Sequence, residues 1–295
     1  MRTIRSLALG FLFAGMVCAQ SSYKAEIEKW RQERAANLKK DDGWLTVAGL
    51  FWLKNGENRV GTAANNEIVL PPQSAPARMG SFLFRGGKTI FTAEGGVEVT
   101  SGGKPVRTLE MKPDVPGPAD AIKLGALSMF VIKRGDRYAI RLRDTDSSFR
   151  KQFSGLHWYD VDEAWRIRAK WVPYNPKKKI AVLNIVGITE QASCPGYASF
   201  RIAGKEYRLE PTAEDDQLFF VFRDLTAGKE TYPSGRFLYA DAPRDGYVTL
   251  DFNQAYNPPC AFTPYATCPL PSRQNRLPVR IPAGELAYHS PAKGK

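Results

Sequence analysis

The spacing of hydrophobic and polar positions changes near residue 43. Between residues 22 and 40, side chains recur at the three- and four-residue spacing of a helix, at Ile27, Trp30, Arg34 and Leu38. Beyond that point, short apolar runs are separated by turn residues, as in NEIVL, GSFLF, KTIFT and SMFVIKR. The pattern predicts one N-terminal α-helix, residues 20–42, packed on an all-β body that is mainly antiparallel and sandwich- or barrel-like.

Turn signals divide the β body. Gly86-Gly87, Gly95-Gly96 and Gly102-Gly103 predict tight hairpin turns, and the basic run 177–179 also reads as a turn. The polar stretch between residues 145 and 160 interrupts the strands. We therefore predict a β-sandwich-like half at 43–150, a second β-rich half at 151–290 and a tail at 291–295.

Residues 1–19 have the pattern of a secretory signal peptide. Arg2 and Arg5 precede an apolar stretch that is too short to span a bilayer comfortably, and small residues then lead to cleavage before Gln20. Cys18 allows a lipoprotein as the alternative, although Val17 stands where such signals prefer a smaller residue. We expect a secreted or periplasmic protein with no transmembrane segment.

Charge and motifs limit the classes of function. The formal charge is +12, and loss of Arg2 and Arg5 would leave +10, spread along the chain. Such a surface favours acidic or envelope partners, whereas no nucleic-acid-binding motif is present. The chain has neither a G-x-S-x-G elbow nor a G-x-G-x-x-G loop after a strand, so we expect neither an α/β-hydrolase nor a nucleotide cofactor. No cofactor is expected.

Cysteine usage fits an oxidising compartment. Cys260 and Cys268 lie in a proline-rich loop at a spacing that permits a disulfide, which would leave Cys194 buried and free. His157 and His289 are the only histidines, and neither is at zinc-like spacing from a cysteine. We predict no metal site, and thiol catalysis is the less favoured alternative.

Polar residues concentrate at predicted strand ends within 231–289. Asp251 and Glu285 are the candidate catalytic acid and base, because apolar neighbours raise a carboxyl pKa. Arg236 could clamp a carboxylate or phosphate. The remaining candidate ligand-binding residues are Tyr232, Asn253, Tyr256, Asn257 and Arg276.

These residues meet only if particular strands pair. If GRFLY and YVTLDFN are antiparallel neighbours across the APRDG turn, Arg236 lies opposite Asp251 and Asn253. Together with Asn257 they would then line one concavity, with Glu285 at its edge. The alternative is structural, since Asp and Asn residues cap turns and Arg236 could form an ion pair with Asp251.

Several strings resemble the bacterial domain-of-unknown-function family 1684, from about Trp30 to His289. They are GWLTVAGLFWLKNGENRVGT (43–62), GRFLYAD (235–241), DFNQAYNPPCAF (251–262), CPLP (268–271) and AGELAYH (283–289). The resemblance implies relatives and carries no established reaction.

A second, weaker resemblance is to a forkhead-associated β-sandwich. The spacing of glycines, Asn, Ile and Pro from Gly56 to Pro71 is similar to the opening of that fold. Thr62 stands where that family has the arginine that binds phosphothreonine, and 75–77 has no Ser and His pair. The resemblance implies a sandwich, and the missing guanidinium argues against phosphopeptide binding.

Two functions follow from these expectations. The first is a binding protein for a small polar or acidic ligand or a glycan of the cell envelope. The alternative is a cofactor-free hydrolase that uses Asp251 and Glu285, for which a cleft between the two carboxylates is required. Burial of either carboxylate in an arginine ion pair would favour binding or structure.

Overall fold

The computed structural model describes residues 8–288, with side chains described from residue 22 onward. The predicted cleavage site and the tail 291–295 lie outside the described side chains, so both stay predictions. Helix α1 is Ala8–Lys39, and a short helix α2 is Ser148–Lys151. Within the described part of the chain, neither is long and apolar enough to cross a bilayer.

Eleven strands form the first half, and each lies before residue 145. They are β1 Val47–Trp52, β2 Gly56–Gly61, β3 Ile68–Val69, β4 Gly80–Arg85, β5 Lys88–Ala93, β6 Val99–Ser101, β7 Lys104–Val106, β8 Thr108–Met111, β9 Ala121–Leu124, β10 Leu127–Arg134 and β11 Arg137–Asp144. They make a six-stranded sheet, in the order β1-β11-β10-β9-β6-β7, and a five-stranded sheet, in the order β3-β2-β4-β5-β8.

The two sheets of the first half share one core. Phe82 and Phe91 of the five-stranded sheet belong to the same buried cluster as Met129 and Ile140 of the six-stranded sheet. Alternate residues of a strand point to the same face, so this shared cluster places the sheets face to face. The first half thus consists of two sheets packed against one another, and its boundaries at 43–150 stay a prediction.

Two of the three predicted glycine turns connect paired strands. Gly86-Gly87 joins β4 to β5 and Gly102-Gly103 joins β6 to β7, all four glycines having positive φ. The third prediction was wrong, because the chain at Gly95-Gly96 leaves one sheet and enters the other. Glycine pairs therefore mark sharp turns without stating which strands pair.

Between residues 151 and 288, seven strands form the second half. They are β12 Arg166–Leu183, β13 Thr189–Ile202, β14 Lys205–Leu209, β15 Thr212–Glu214, β16 Gln217–Phe222, β17 Arg236–Asp241 and β18 Tyr247–Asp251. A four-stranded sheet has the order β14-β13-β12-β18, and a three-stranded sheet has the order β15-β16-β17. The predicted turn at 177–179 was wrong, because these lysines continue β12 and the chain reverses only between β12 and β13.

Helix α1 packs on the second half. Ile27 is 1% exposed and Leu38 is 4% exposed, and the ring of Trp30 meets that of Trp158 edge-on with centroids 5.6 Å apart. The structure thus confirms an all-β protein with one N-terminal helix. The helix ends at Lys39, three residues before the predicted end.

The two halves touch through side chains of the C-terminal loops. Thr263 Oγ1 donates to the carbonyl of Val47 at 2.8 Å. Thr267 Oγ1 accepts from Arg134 Nε at 3.0 Å and from Arg141 Nη2 at 3.3 Å. The face of β11 that carries Arg141 is therefore covered by the second half.

Candidate functional site

The predicted site residues fall into separate groups, two of which contact α1. In the first, Tyr23 Oη donates to the Asp251 carboxylate, at 2.8 Å to each oxygen. Asn253 Nδ2 donates to Tyr23 Oη at 3.0 Å and to the Asp162 carbonyl at 2.8 Å. Burial and the Asp251 carboxylate raise the pKa of the Tyr23 phenol. This group anchors the helix to the end of β18.

The second group surrounds Glu285, which is fully buried. Arg34 Nε donates to Glu285 Oε2 at 2.6 Å, and Asn257 Nδ2 donates to Oε1 at 2.8 Å. Arg34 Nη2 also reaches the Asn257 carbonyl at 2.9 Å. Burial raises the pKa of Glu285, while Arg34 and Asn257 act in the opposite direction. The carboxylate is enclosed by protein donors.

Arg236 forms the third group and is 1% exposed. Its Nη2 donates to Asp224 Oδ1 at 3.2 Å and to the Ile281 carbonyl at 3.0 Å, and its Nη1 donates to the Ala283 carbonyl. Burial lowers the pKa of this guanidinium, and Asp224 opposes that shift. Arg236 therefore connects β17 to the loop before Glu285. Its ion-pair partner is Asp224, whereas the structural alternative predicted from the sequence was an ion pair with Asp251.

The expected pairing of GRFLY with YVTLDFN was wrong. Strand β17 pairs with β16, so Arg236 lies opposite Phe222, whereas β18 pairs with β12 and Asp251 lies opposite Arg166. The physical reason is the core, since Leu238 of β17 and Leu250 of β18 share one buried cluster from two different sheets. Arg236 and Asp251 consequently have separate hydrogen-bond partners.

The other predicted residues occupy different surroundings. Tyr232 is half-buried and its hydroxyl donates to the Cys260 carbonyl at 3.0 Å, while Arg276 is exposed. The Cys260 amide donates to Cys268 Sγ at 3.2 Å, so the two cysteines are neighbours and the disulfide stays a prediction. Cys194 is buried, and burial raises the pKa of its thiol.

Tyr256 belongs to an open cavity of about 260 Å³ between α1 and the β body. We call it the aromatic cleft; its lining residues are Trp30, Glu33, Arg34, Asn37, Tyr239, Gln254 and Tyr256. The rings of Tyr239 and Tyr256 are nearly parallel, 16° apart, with centroids 6.5 Å apart. The Arg34 guanidinium lies 4.2 Å from the centre of the Tyr256 ring, which links the cleft to the buried Glu285.

Six of these seven residues were not predicted from the sequence to be site residues. A signal existed for four of them, because Trp30, Glu33, Arg34 and Asn37 follow the i, i+3, i+4, i+7 spacing of one helical face. Tyr239 and Gln254 carried no comparable signal, since their approach to that face depends on how two sheets pack. Among the described residues, no group of three or more His, Cys, Asp or Glu side chains could hold a metal ion.

Comparisons with known proteins give relatives of this chain. A solution NMR structure of an uncharacterized protein of Haloarcula marismortui is 32% identical, with a TM-score of 0.40, and the match covers 46% of this chain and 78% of the other. No curated protein matches the chain significantly.

Forkhead-associated domains also match. One was studied for phosphothreonine-dependent interactions, and the other is the FhaA domain in complex with the intracellular domain of a partner protein. Each is 17% identical with a TM-score of 0.23; the matches cover 32% of this chain and 92% and 97% of those chains. Likenesses this distant support no inference about function.

The family comparison agrees with the strings in the second half of the sequence. Residues 151–286 match the family described as "Protein of unknown function (DUF1684)". This range holds most of the quoted strings, whereas GWLTVAGLFWLKNGENRVGT (43–62) lies outside it. The chain belongs to the DUF1684 family.

Proposed function

We propose that this protein binds a glycan of the cell envelope in the aromatic cleft. The observation that carries the proposal is the combination of three rings with unengaged polar side chains in one open cavity. Aromatic faces offer apolar contact to the C–H faces of a sugar ring, and nearby amides and carboxylates take up its hydroxyl groups.

The polar groups of the cleft are available. Among residues 22–288, the side-chain amides of Asn37 and Gln254 have no hydrogen-bond partner in the protein. Glu33 is exposed, and its one ion-pair partner within the described part of the chain is Lys29, at 3.9 Å. Amide and carboxylate groups supply both the donors and the acceptors that hydroxyl groups need.

The cleft walls are held firmly by the residues beneath them. Arg34 is fixed by Glu285 and Asn257 on one side and lies against the Tyr256 ring on the other. Asn257 and Glu285, two of the predicted site residues, thus support the cleft from below, and Tyr256 is the predicted site residue that lines it. Preorganised walls lower the entropy lost when a ligand binds.

The hydrolase alternative has less support. Glu285 is 0% exposed and bound to Arg34, so it cannot exchange a proton with a substrate while α1 is docked. Asp251 is occupied by Tyr23 and Asn253. Burial of a carboxylate in an arginine ion pair favours a binding or structural role over catalysis.

The test is a thermal-shift screen of the exported protein against peptidoglycan disaccharides, neutral hexose oligosaccharides and uronic acid oligosaccharides, followed by calorimetry of those that bind. Gln254→Ala and Glu33→Gln remove polar contacts from the cleft, and we expect each to weaken binding by roughly tenfold. Trp30→Ala should weaken it further by removing a ring.

Matched controls lie outside the cleft. Gln191→Ala changes an exposed glutamine on β13, and Glu26→Gln changes an exposed glutamate on α1, outside the cleft. Both should bind as the wild type does. The proposal fails if no oligosaccharide of the panel binds, or if the cleft variants bind as tightly as the controls. Release of shorter sugars on incubation would support the hydrolase instead.

A further inference from the structure

A second cavity, of about 290 Å³, lies where the two β halves meet. We call it the arginine cavity; its lining residues are Trp44, Arg134, Val182, Asn184, Glu190, Phe237, Pro259, Thr267, Cys268 and Pro269. It shares no residue with the aromatic cleft. Arg134 ends β10, while Thr267 and Cys268 come from the loop that caps this edge of the second half.

Arg141 lies directly behind two of the lining residues, Trp44 and Thr267, and forms no ion pair with any described residue. Its side chain is 4% exposed, its guanidinium lies 5.2 Å from the Trp44 ring centre, and Nη2 donates to Thr267 Oγ1. Among the described residues, Nε has no hydrogen-bond partner. Burial lowers the pKa of Arg141 to about 10, and repulsion from the Arg134 guanidinium is the second cause. The nearby Asp114 is already bound to Arg134 at 2.9 Å.

Asn184 supplies an unpartnered donor on the cavity wall itself. The residue is 4% exposed, and its Oδ1 accepts the amides of Val186 and Ile188 at 3.1 and 3.0 Å. Its Nδ2 is buried and, within the described part of the chain, meets no acceptor. A buried unpaired donor costs free energy comparable to a lost hydrogen bond, so its retention requires an explanation.

Thr267 adds a third donor. Its Oγ1 accepts from both Arg134 and Arg141, so its own O–H must be directed away from them. No acceptor for this O–H is found among residues 22–288. In the described chain, the cavity lining therefore includes a residue with an unpartnered amide N–H and one with an unpartnered hydroxyl, together with the guanidinium of Arg134, and the Arg141 guanidinium lies behind Thr267.

The other residues that line the arginine cavity favour an organic anion of low charge. Trp44, Val182, Phe237 and two prolines give apolar walls, which suit the body of an organic molecule better than a hydrated inorganic ion. Glu190 is the acidic lining residue; it is exposed, and it accepts the Gly135 amide at 2.8 Å. Solvent screens this exposed charge more than it screens the buried guanidinium, although Glu190 still disfavours a multiply charged ligand.

We propose that the arginine cavity binds a small organic carboxylate, with its carboxylate held by Asn184 Nδ2, Thr267 Oγ1 and the charges of Arg134 and Arg141, and its apolar body against Trp44 and Phe237. The site is independent of the aromatic cleft and adds a second ligand class to this protein.

The test measures binding of benzoate and octanoate to the full chain by thermal shift and calorimetry, with benzamide and octanamide as neutral analogues and inorganic phosphate as a multiply charged anion. The two carboxylates should raise the unfolding temperature in a saturable way. The neutral amides and phosphate should not.

Three variants locate the effect. Arg141→Met removes a buried charge that lacks a carboxylate partner, so we expect an unfolding temperature at least equal to that of the wild type and no response to benzoate. Asn184→Asp keeps the Oδ1 that accepts the two loop amides but removes the donor and adds a negative charge, so benzoate binding should weaken by at least about tenfold. Glu190→Gln should tighten it.

One control variant and three contradicting outcomes complete the test. Glu33→Gln, in the aromatic cleft, should respond to benzoate as the wild type does. An equal response to benzamide, binding of phosphate in place of the carboxylates, or undiminished binding in Asn184→Asp would each overturn the proposal. If Arg141→Met does not fold, the Asn184→Asp result decides alone.

Discussion

Arg34 and Glu285 are joined at 2.6 Å across 251 positions of the chain. The pair is nearly enclosed, with 14% of the Arg34 side chain exposed and none of Glu285. Loss of one member of a buried ion pair leaves the other charge without compensation, which costs more than the pair itself contributes. At the scale of single residues, this pair connects the fold to the proposed glycan site.

We therefore predict that Glu285→Ala lowers the free energy of unfolding by about 3–5 kcal/mol, measured by urea denaturation. The exposed Glu26→Ala on α1 should change it by no more than about 0.5 kcal/mol. In a double-mutant cycle, Arg34→Ala should cost much less in the Glu285→Ala background than in the wild type. Additive losses would show that the two side chains do not act as a pair.

The types of the candidate site residues could be predicted from the sequence, but their surroundings could not. Tyr256 was expected to contact a ligand, and it lines the aromatic cleft. Asn253, Asn257 and Arg236 have the chemistry of ligand contacts, yet each is at most 1% exposed because its partners come from distant segments. Exposure depends on what packs above a residue, and no local pattern records that.

At the scale of elements, α1 has one face that packs on the β body and another that lines the aromatic cleft. Ile27 and Leu38 bury their side chains against the β body, while the face of Trp30, Glu33 and Asn37 forms one wall of the cleft. The helical period predicted the first face, because apolar spacing is a strong signal. It could not show that the adjacent polar face would stand opposite Tyr239.

The buried face gives a direct prediction. Ile27→Ala should lower the free energy of unfolding by about 2–5 kcal/mol, since the side chain is 1% exposed and its loss leaves a cavity. The measurement is thermal or urea unfolding, with Lys24→Ala, an exposed change on the same helix, as the control. A loss below about 0.5 kcal/mol would mean that α1 is not docked in solution.

Strand existence was predicted better than strand partnership. The runs around β17 and β18 are both strands, as expected, but they belong to different sheets that face each other. Sequence neighbours pair in many β proteins, and a short turn such as APRDG favours that reading. The apolar residues Leu238 and Leu250 fit a hairpin and two facing sheets equally well.

At the scale of the whole molecule, side-chain contacts from distant segments close the fold. Glu230 accepts from Tyr159 Oη at 2.6 Å and forms an ion pair with Arg280 at 2.7 Å, so three distant segments meet at one carboxylate. The hydrogen bonds from Arg280 and then Tyr159 hold the pKa of Glu230 below its ordinary value.

The sign of the pH dependence follows from that direction. A carboxyl whose pKa is lowered by folding stabilises the protein fully above its unfolded pKa, about 4.3, and this stabilisation is lost as the pH falls through the folded value. Glu230→Gln should therefore reduce the loss of unfolding free energy between neutral pH and about pH 3. Urea titrations at both pH values measure it, and the exposed Glu98→Gln is the control. An unchanged acid loss in Glu230→Gln would contradict the prediction.

The docking of α1 also constrains the order in which the protein can be completed. The hydrogen-bond partner of Tyr23 is Asp251, 228 positions later in the chain, and the ion-pair partner of Arg34 is Glu285. During synthesis the helix emerges long before either carboxylate exists, so its apolar face stays uncovered while eighteen strands are made. Chains that bring such distant positions together fold slowly, because the loop must close before the contact contributes. A nascent chain of this protein therefore offers its first helix to other binders throughout translation, and the helix becomes inaccessible to them once residue 285 has emerged.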